Sequence, residues 1–106
     1  MADETPVLDL LAAMTADSIE ASSLGGDELM LVRLAALVAS DAPPASYLLN
    51  LGAAADTGLD LEDVQGVLAA VAPIVGTARV VKATGAIMEA LGFALDVAEL
   101  ALEDAE

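Results

Sequence analysis

Few side chains combine a polar or charged group with apolar neighbours in a way that suggests a site, and several of these fall between residues 28 and 50. Arg33 is the only base in a helix pattern that is apolar nearly all round, so a buried charge there needs a partner. The alternatives for that partner are Glu28, an acid of another subunit and the carboxylate of a ligand. Tyr47 and Asn50 lie three residues apart on the next helix and share a face. Their polar groups need partners from the fold or from a ligand. Arg33 and Tyr47 are therefore candidate ligand-binding residues.

Two further bases, Arg79 and Lys82, lie three residues apart at the start of the last predicted helix. Together with the backbone N–H groups that follow Gly76 and Thr77, they are able to hold an anion. In a chain with 18 acidic residues, ordinary surface salt bridges are the other interpretation. Arg79 is thus a candidate ligand-binding residue with a structural alternative.

The composition excludes several kinds of chemistry. The chain has no cysteine and no histidine, so disulfides, thiolate metal sites, thiol redox chemistry and histidine-based catalysis are impossible. A net charge of −15, with only three bases and few aromatic residues, argues against nucleic acid and an anionic membrane surface as partners. The sequence contains no Gly-rich phosphate loop and no calcium loop. We expect no metal ion and no cofactor.

Apolar residues make up 58% of the chain, which raises the question of a membrane span. The longest stretch without a charged residue, Val64 to Ala78, has 15 residues and contains Gly66, Pro73 and Gly76. A transmembrane helix needs about 20 apolar residues. The N-terminal sequence MADETP has neither the basic nor the apolar region of a signal peptide. We expect a soluble, cytoplasmic protein.

The elements that position these residues are predicted to be helices throughout, in a single domain spanning residues 1–106. The predicted helices begin after Thr5, near Asp27, at Pro43 and Pro44 with Asp41 as a candidate cap, after a cap at Asp60 and after a cap at Thr77. The second ends near Ser40 and the third at Gly58, and Pro73 is expected to bend or end the fourth. The predicted fold class is all-α, a compact domain of about five helices.

The last predicted helix carries two apolar lines. One has the alternating spacings of four and three that are typical of a heptad pattern: Thr84, Met88, Leu91, Leu95, Ala98 and Leu102. The other line consists of Ala90, Phe93, Val97 and Leu100. One small domain has little chain left to cover both, so we expect one line to pack inside the protomer and the other to meet another subunit. A single wide stripe folded wholly inside the protomer is the alternative.

Three segments in this order resemble the carboxymuconolactone decarboxylase family, which includes the alkylhydroperoxidase D-like proteins. An acidic pair opens an apolar helix at Asp27-Glu28-Leu29, and an alanine-rich helix over residues 53–63 closes with Gly-Leu-Asp and further acids. Residues 72–81, with the sequence APIVGTARVV, are similar to the family's helix, Gly-containing turn and Ala-rich helix. The resemblance covers about 65 of 106 residues. It implies an all-helical, obligately oligomeric protein, commonly a trimer or hexamer, with sites between helices near subunit contacts.

The resemblance also indicates site residues and shows where this chain departs from the family. The decarboxylases' histidine corresponds to Asn50, the peroxidases' cysteine pair to Pro43 and Ser46, and the acid that opens the preceding helix to Glu28. A neutral asparagine cannot accept a proton as histidine does. Glu28 can act as a base if burial raises its pKa. The candidate catalytic residues are therefore Glu28 and Asn50.

We therefore expect a homo-oligomeric protein of this family without thiol peroxidase chemistry, which binds a small carboxylated or apolar ligand or serves as a structural or interaction module. The alternative is an active lactone decarboxylase or isomerase with a non-standard site formed by Glu28, Arg33, Tyr47 and Asn50. The positions of these side chains discriminate between the hypotheses. Convergence on one enclosed cavity favours an enzyme or a binding site, and separate positions favour a structural role.

Overall fold

The computed structural model describes residues 5–51 and 59–92, which form five α-helices and no strand. In chain order these are α1 (Pro6–Ala21), α2 (Gly26–Ala39), α3 (Pro44–Leu51), α4 (Leu61–Val75) and α5 (Thr77–Leu91). The all-α fold class expected from the sequence is confirmed. The predicted end of the third helix at Gly58 lies outside the described residues.

The core of the protein lies around α2. This helix packs against α3, α4 and α5, and α3 packs in turn against α5. The fully covered apolar side chains come from all four of these helices: Leu34, Val38, Tyr47, Leu51, Val64 and Ile87. Because α2 has neighbours on several sides, it needs apolar residues on most of its circumference, as its sequence predicts. Only its remaining side leaves a large apolar residue, Val32, in solvent.

Local side-chain chemistry sets most of the helix starts. Pro6 occupies the first turn of α1, where its missing N–H costs no hydrogen bond. Asp60 caps α4 as predicted: its Oδ1 accepts the N–H of Asp63 at 2.9 Å, and the Asp63 carboxylate accepts the N–H of Asp60 at 3.3 Å. The predicted cap at Thr77 is wrong by one residue, because Gly76 precedes the helix and takes a φ of 90° that is costly for other residues.

The end of α2 is a Schellman motif with an aspartate where glycine is usual. The N–H of Ala42 donates to the carbonyl of Leu37 at 3.1 Å, and the N–H of Asp41 donates to that of Val38 at 3.2 Å. Asp41 has a φ of 58°, in the left-handed region. It also forms a salt bridge with Lys82 of α5, with 3.0 Å between Nζ and Oδ2. The turn that leads into α3 is therefore tied to α5.

The two C-terminal helices end differently from the sequence prediction. Pro73 does not end α4, which continues to Val75, so the helix tolerates proline in its last turn. The last helix was predicted to run on to Leu102, but α5 ends at Leu91 because Gly92 takes a left-handed conformation with a φ of 78°. The predicted continuous heptad pattern is therefore interrupted at Gly92. Its later members, and most of the second line, lie outside the described residues.

The described part of the heptad pattern faces the protomer's own core. Thr84 is fully buried, and Met88 and Leu91 are half-buried. Helix α1 is in the opposite situation, since none of its residues is buried. Among the described residues, α1 exposes the most large apolar side chains, and the second apolar line of the last helix, which was predicted to meet another subunit, lies mostly outside those residues.

Candidate functional site

An open groove of about 340 Å³ lies where α1, α2 and α3 meet, and we call it the Arg33 groove. Its lining comes from all three helices: Leu11, Met14, Thr15 and Ser18 from α1, Arg33 from α2, and Leu49 and Asn50 from α3. Arg33 is the one charged residue in this lining, although acids outnumber bases in the whole chain by 18 to 3. The groove is thus a positive and largely apolar surface on an acidic protein.

Arg33 donates its hydrogen bonds to backbone carbonyls. Nη2 donates to the carbonyl of Thr15 at 3.0 Å, and Nη1 donates to the carbonyl of Asn50 at 3.3 Å. No carboxylate of the described residues forms a salt bridge with it, so Glu28, one of the three alternatives, is not its partner. A guanidinium has five N–H donors, and two carbonyls occupy only part of that capacity. Arg33 therefore links α1 to α3 through these two hydrogen bonds, and its remaining N–H donors are able to bind an anion.

Glu28 takes no part in the groove because it serves its own helix. Its side chain is exposed and its Oε2 accepts the N–H of Gly25 at 3.2 Å, in front of the first turn of α2. A carboxylate in this position satisfies a backbone donor and the positive end of the helix. Its side chain is not part of the lining of the Arg33 groove. The structure gives Glu28 a capping role.

Asn50 lines the groove as a half-buried residue. Its Nδ2 donates to the carbonyl of Ser46 at 2.9 Å, one turn earlier on α3. The side chain is neutral, so its contribution is a polar contact at the edge of the groove and a backbone carbonyl that holds Arg33.

Tyr47 lies in the core, away from the groove lining, although it is only three residues from Asn50. Its side chain is fully covered, and its hydroxyl has no hydrogen-bond partner in the part of the chain that the structure describes. Burial, together with the negative charge of Asp41, raises the pKa of Tyr47 to about 12. Tyr47 and Asn50 were predicted to share a face of α3, but packing places Tyr47 in the core and Asn50 at the groove.

Arg79 and Lys82 hold the end of α2. Arg79 Nη1 donates to the carbonyl of Ala39 at 2.6 Å, and Lys82 pairs with Asp41. Cations at a helix C-terminus satisfy unpaired carbonyls and oppose the helix dipole. The salt-bridge interpretation therefore holds for Lys82, whereas Arg79 binds a backbone carbonyl. Arg79 does not line the Arg33 groove.

Of the five residues predicted for the site, the structure brings only Arg33 and Asn50 together. The α1 side of the groove was not predicted at all, although Thr15 and Ser18 stand three apart and share a face of the helix, which is a weak signal for a polar line. No group of three potential metal ligands occurs in residues 5–51 and 59–92. None of the helices within those ranges is both long enough and apolar enough to cross a bilayer.

Comparison with protein-family models, with curated protein sequences and with solved structures finds no match to this chain. The resemblance to the carboxymuconolactone decarboxylase family therefore stays a prediction from the motifs, and any function has to be argued from the geometry.

Proposed function

We propose that this protein is a carboxymuconolactone decarboxylase-like, homo-oligomeric and cytoplasmic binding protein for a small carboxylate with an apolar body, held in the Arg33 groove. The observation that carries the proposal is that Arg33 lies in a groove where no carboxylate of residues 5–51 and 59–92 forms a salt bridge with it. A guanidinium with free donors binds a carboxylate through charge-assisted hydrogen bonds, which are shorter and stronger than neutral ones.

The rest of the lining supports an amphipathic ligand of modest size. Leu11, Met14 and Leu49 form apolar walls beside the guanidinium, and the hydroxyl of Ser18 lies at the α1 side. A volume of about 340 Å³ is at the lower end of the range of small-molecule sites. A short aliphatic or alicyclic carboxylate would place its apolar part against these walls and its carboxylate on Arg33.

Thiol peroxidase chemistry has no place in this proposal because the chain has no cysteine. The enzymatic alternative, a lactone decarboxylase or isomerase, requires a base near the ligand. Glu28 is engaged with Gly25, and the hydroxyl of Tyr47 is enclosed in the core, so neither supplies one at the groove. The separation of Glu28 and Tyr47 from the groove therefore counts against catalysis, and the binding proposal rests on the Arg33 groove alone.

Octanoate is a suitable probe, and 1-octanol is its matched neutral analogue. We expect calorimetric titration to show that octanoate binds the native protein at least roughly tenfold more tightly than 1-octanol, since a hydrogen bond to a charged group contributes about 1.5–3 kcal/mol. Arg33→Gln should remove this preference. Equal binding of the two probes would refute the proposal.

Because Arg33 also holds α1, a second variant must leave that contact in place. Ser18→Glu introduces a carboxylate into the groove, where it should occupy Arg33 from within and block octanoate while keeping α1 attached. Ser23→Glu adds the same charge at an exposed loop position outside the lining and should bind octanoate as the native protein does. Unchanged affinity in Ser18→Glu would show that octanoate binds elsewhere.

A further inference from the structure

Helix α1 differs from the other four helices in how little of it is covered. None of its 16 residues is buried, whereas α2, α3, α4 and α5 each contribute at least two buried residues. Thr15 is half-buried, and every other residue of α1 is exposed. Burial of apolar surface stabilises a packed helix by roughly 25 cal/mol per Å². Of the five helices, α1 is therefore the one that burial holds least.

The backbone of α1 and of the loop that follows it, residues 22–25, is satisfied locally. The N–H of Ser22 donates to the carbonyl of Ser18, and the N–H of Leu24 donates to the hydroxyl of Ser22, each at 3.1 Å. The N–H of Gly25 donates to Glu28 at the start of α2. Among the described residues, no hydrogen bond between backbone groups joins this segment to α3, α4 or α5. Separation of α1 from these helices therefore breaks no backbone ladder.

A side-chain hydrogen bond supplies the connection that the backbone does not. Within residues 5–51 and 59–92, α1 is joined to another helix by the bond from Arg33 Nη2 to the carbonyl of Thr15, at 3.0 Å. Thr15 is also where α1 is covered most. We propose that α1 is a flap that opens as a unit while the other four helices stay folded, and that Arg33 holds this flap closed.

The open flap should lose its helical structure. Isolated helices shorter than roughly 12–15 residues are marginal in water even when they are rich in alanine. α1 is close to that length, and its β-branched and acidic residues make it a weaker helix than an alanine-rich one. Opening is therefore a local unfolding of α1, which amide hydrogen exchange detects.

Opening of the flap also removes most of the Arg33 groove, and in this respect the inference rests on the proposed function. α1 supplies four of the seven lining residues: Leu11, Met14, Thr15 and Ser18. A carboxylate ligand therefore finds its complete site only when the flap is closed. A ligand that binds one of two states shifts the equilibrium towards that state. Occupancy of the groove should thus regulate whether α1 is ordered.

Hydrogen exchange of the native protein, followed by mass spectrometry, tests whether the flap opens separately. The amides around Leu34 and Val38 lie in the core, so they exchange only when the whole protein unfolds. We expect the amides of α1 to exchange at least about 100-fold faster than these, because local opening needs less free energy than global unfolding. Equal exchange rates in α1 and in the core of α2 would overturn the proposal.

Arg33→Gln and Arg79→Gln form a matched pair, because each of these arginines donates to a backbone carbonyl, of Thr15 and of Ala39 respectively. Arg33→Gln should accelerate exchange in α1 about tenfold or more, since the native bond to the charged guanidinium exists only in the closed state. Arg79→Gln should leave exchange in α1 unchanged, because its bond is present with the flap open or closed. Equal acceleration of α1 by both variants would mean that α1 opens only with the whole protein.

A second pair leaves both arginines in place. Ala16→Gly changes an exposed position on the side of α1 away from the groove and should accelerate exchange in α1 about two- to fivefold, because glycine disfavours the helix. Ala36→Gly makes the same change at an exposed position of α2, which stays helical when the flap opens, and should leave α1 unchanged. An α1 that responds to Ala36→Gly as strongly as to Ala16→Gly would contradict separate opening.

Octanoate tests the link between the groove and the flap. At ten times its dissociation constant it should slow exchange in α1 about tenfold, since it binds only the closed state. Calorimetric titration of the same samples keeps the two proposals apart. Octanoate that binds without slowing α1 would overturn the regulation and leave the binding function standing. Octanoate that does not bind would overturn the binding function, and the two pairs of variants would still decide whether α1 is a flap held by Arg33.

Discussion

The buried phenol of Tyr47 should make the stability of this protein sensitive to alkaline pH. The side chain is fully covered, its hydroxyl has no partner among the described residues, and its pKa is raised from 10.0 to about 12. Loss of hydration on burial is the larger cause, and the negative charge of Asp41 is the smaller one. Both disfavour the phenolate in the folded protein.

The sign and size of the effect follow from the two pKa values. Below pH 10 the phenol is neutral in the folded and the unfolded chain, and the folded state keeps its full stability. As the pH rises from 10 towards 12, the unfolded chain ionises while the folded chain does not, so the free energy of unfolding falls. A difference of two pKa units corresponds to a loss of about 2–3 kcal/mol.

The composition of the chain gives a clean assay. Tyr47 is the only tyrosine and there is no tryptophan, so near-ultraviolet absorbance of phenolate reports this residue alone. Urea unfolding of the native protein and of Tyr47→Phe, repeated from neutral pH to strongly alkaline pH, measures the loss. All other ionisable groups are common to both proteins, so their contributions to the difference cancel.

We expect phenolate to appear in the folded protein only well above pH 10 and the alkaline loss of stability to be much smaller in Tyr47→Phe. At neutral pH the variant should be more stable by about 1–3 kcal/mol, because phenylalanine fills the same space without an unpartnered hydroxyl. A phenolate that forms near the ordinary pKa, or a variant that is less stable than the native protein, would refute the reasoning and show that the hydroxyl has a partner.

Three further predictions concern the helix ends and the excluded chemistry. Asp41→Gly should be more stable than Asp41→Asn by about 1 kcal/mol. Both variants lose the Lys82 salt bridge, but only glycine adopts a left-handed backbone without a conformational cost. Equal thermal midpoints of the two variants would count against strain at this turn. Asp60→Ala should lower the free energy of unfolding by about 1 kcal/mol through loss of the bond to the Asp63 N–H, and no change would mean that water replaces the cap. The purified protein should show no peroxidase turnover with thiol reductants, and measurable turnover would contradict an argument that depends only on the absence of cysteine.

The helices were predictable because their signals are local. Pro6, Pro44 and Asp60 mark starts that the structure confirms, and each acts on residues within four positions along the chain. Two errors have a local origin in glycine. Gly76, with a positive φ, caps α5 one residue before the predicted cap at Thr77, and Gly92, also with a positive φ, ends α5 at Leu91, where the apolar periodicity predicted that the helix continues.

The candidate site was predictable only in part because it depends on contacts between helices. The sequence singled out Arg33 as a base that needs a partner, but the partners are backbone carbonyls of Thr15 and Asn50, 18 and 17 residues away. Backbone carbonyls are present at every residue, so no sequence pattern distinguishes those two. Tyr47 was placed with Asn50 on spacing alone, whereas the packing of α3 against α2 and α5 takes the phenol into the core.

The sequence by itself determined the all-helical class, the exclusion of thiol and histidine chemistry, and the positions at which most helices begin, since these follow from residue type and from interactions within one helical turn. The tertiary structure alone decided which apolar face is covered and which is left in solvent. α2 is enclosed by three helices, while α1, similarly rich in apolar residues, has none of the described helices over its outer face. Burial is a property of how helices are arranged around one another, and a list of apolar positions does not contain that arrangement.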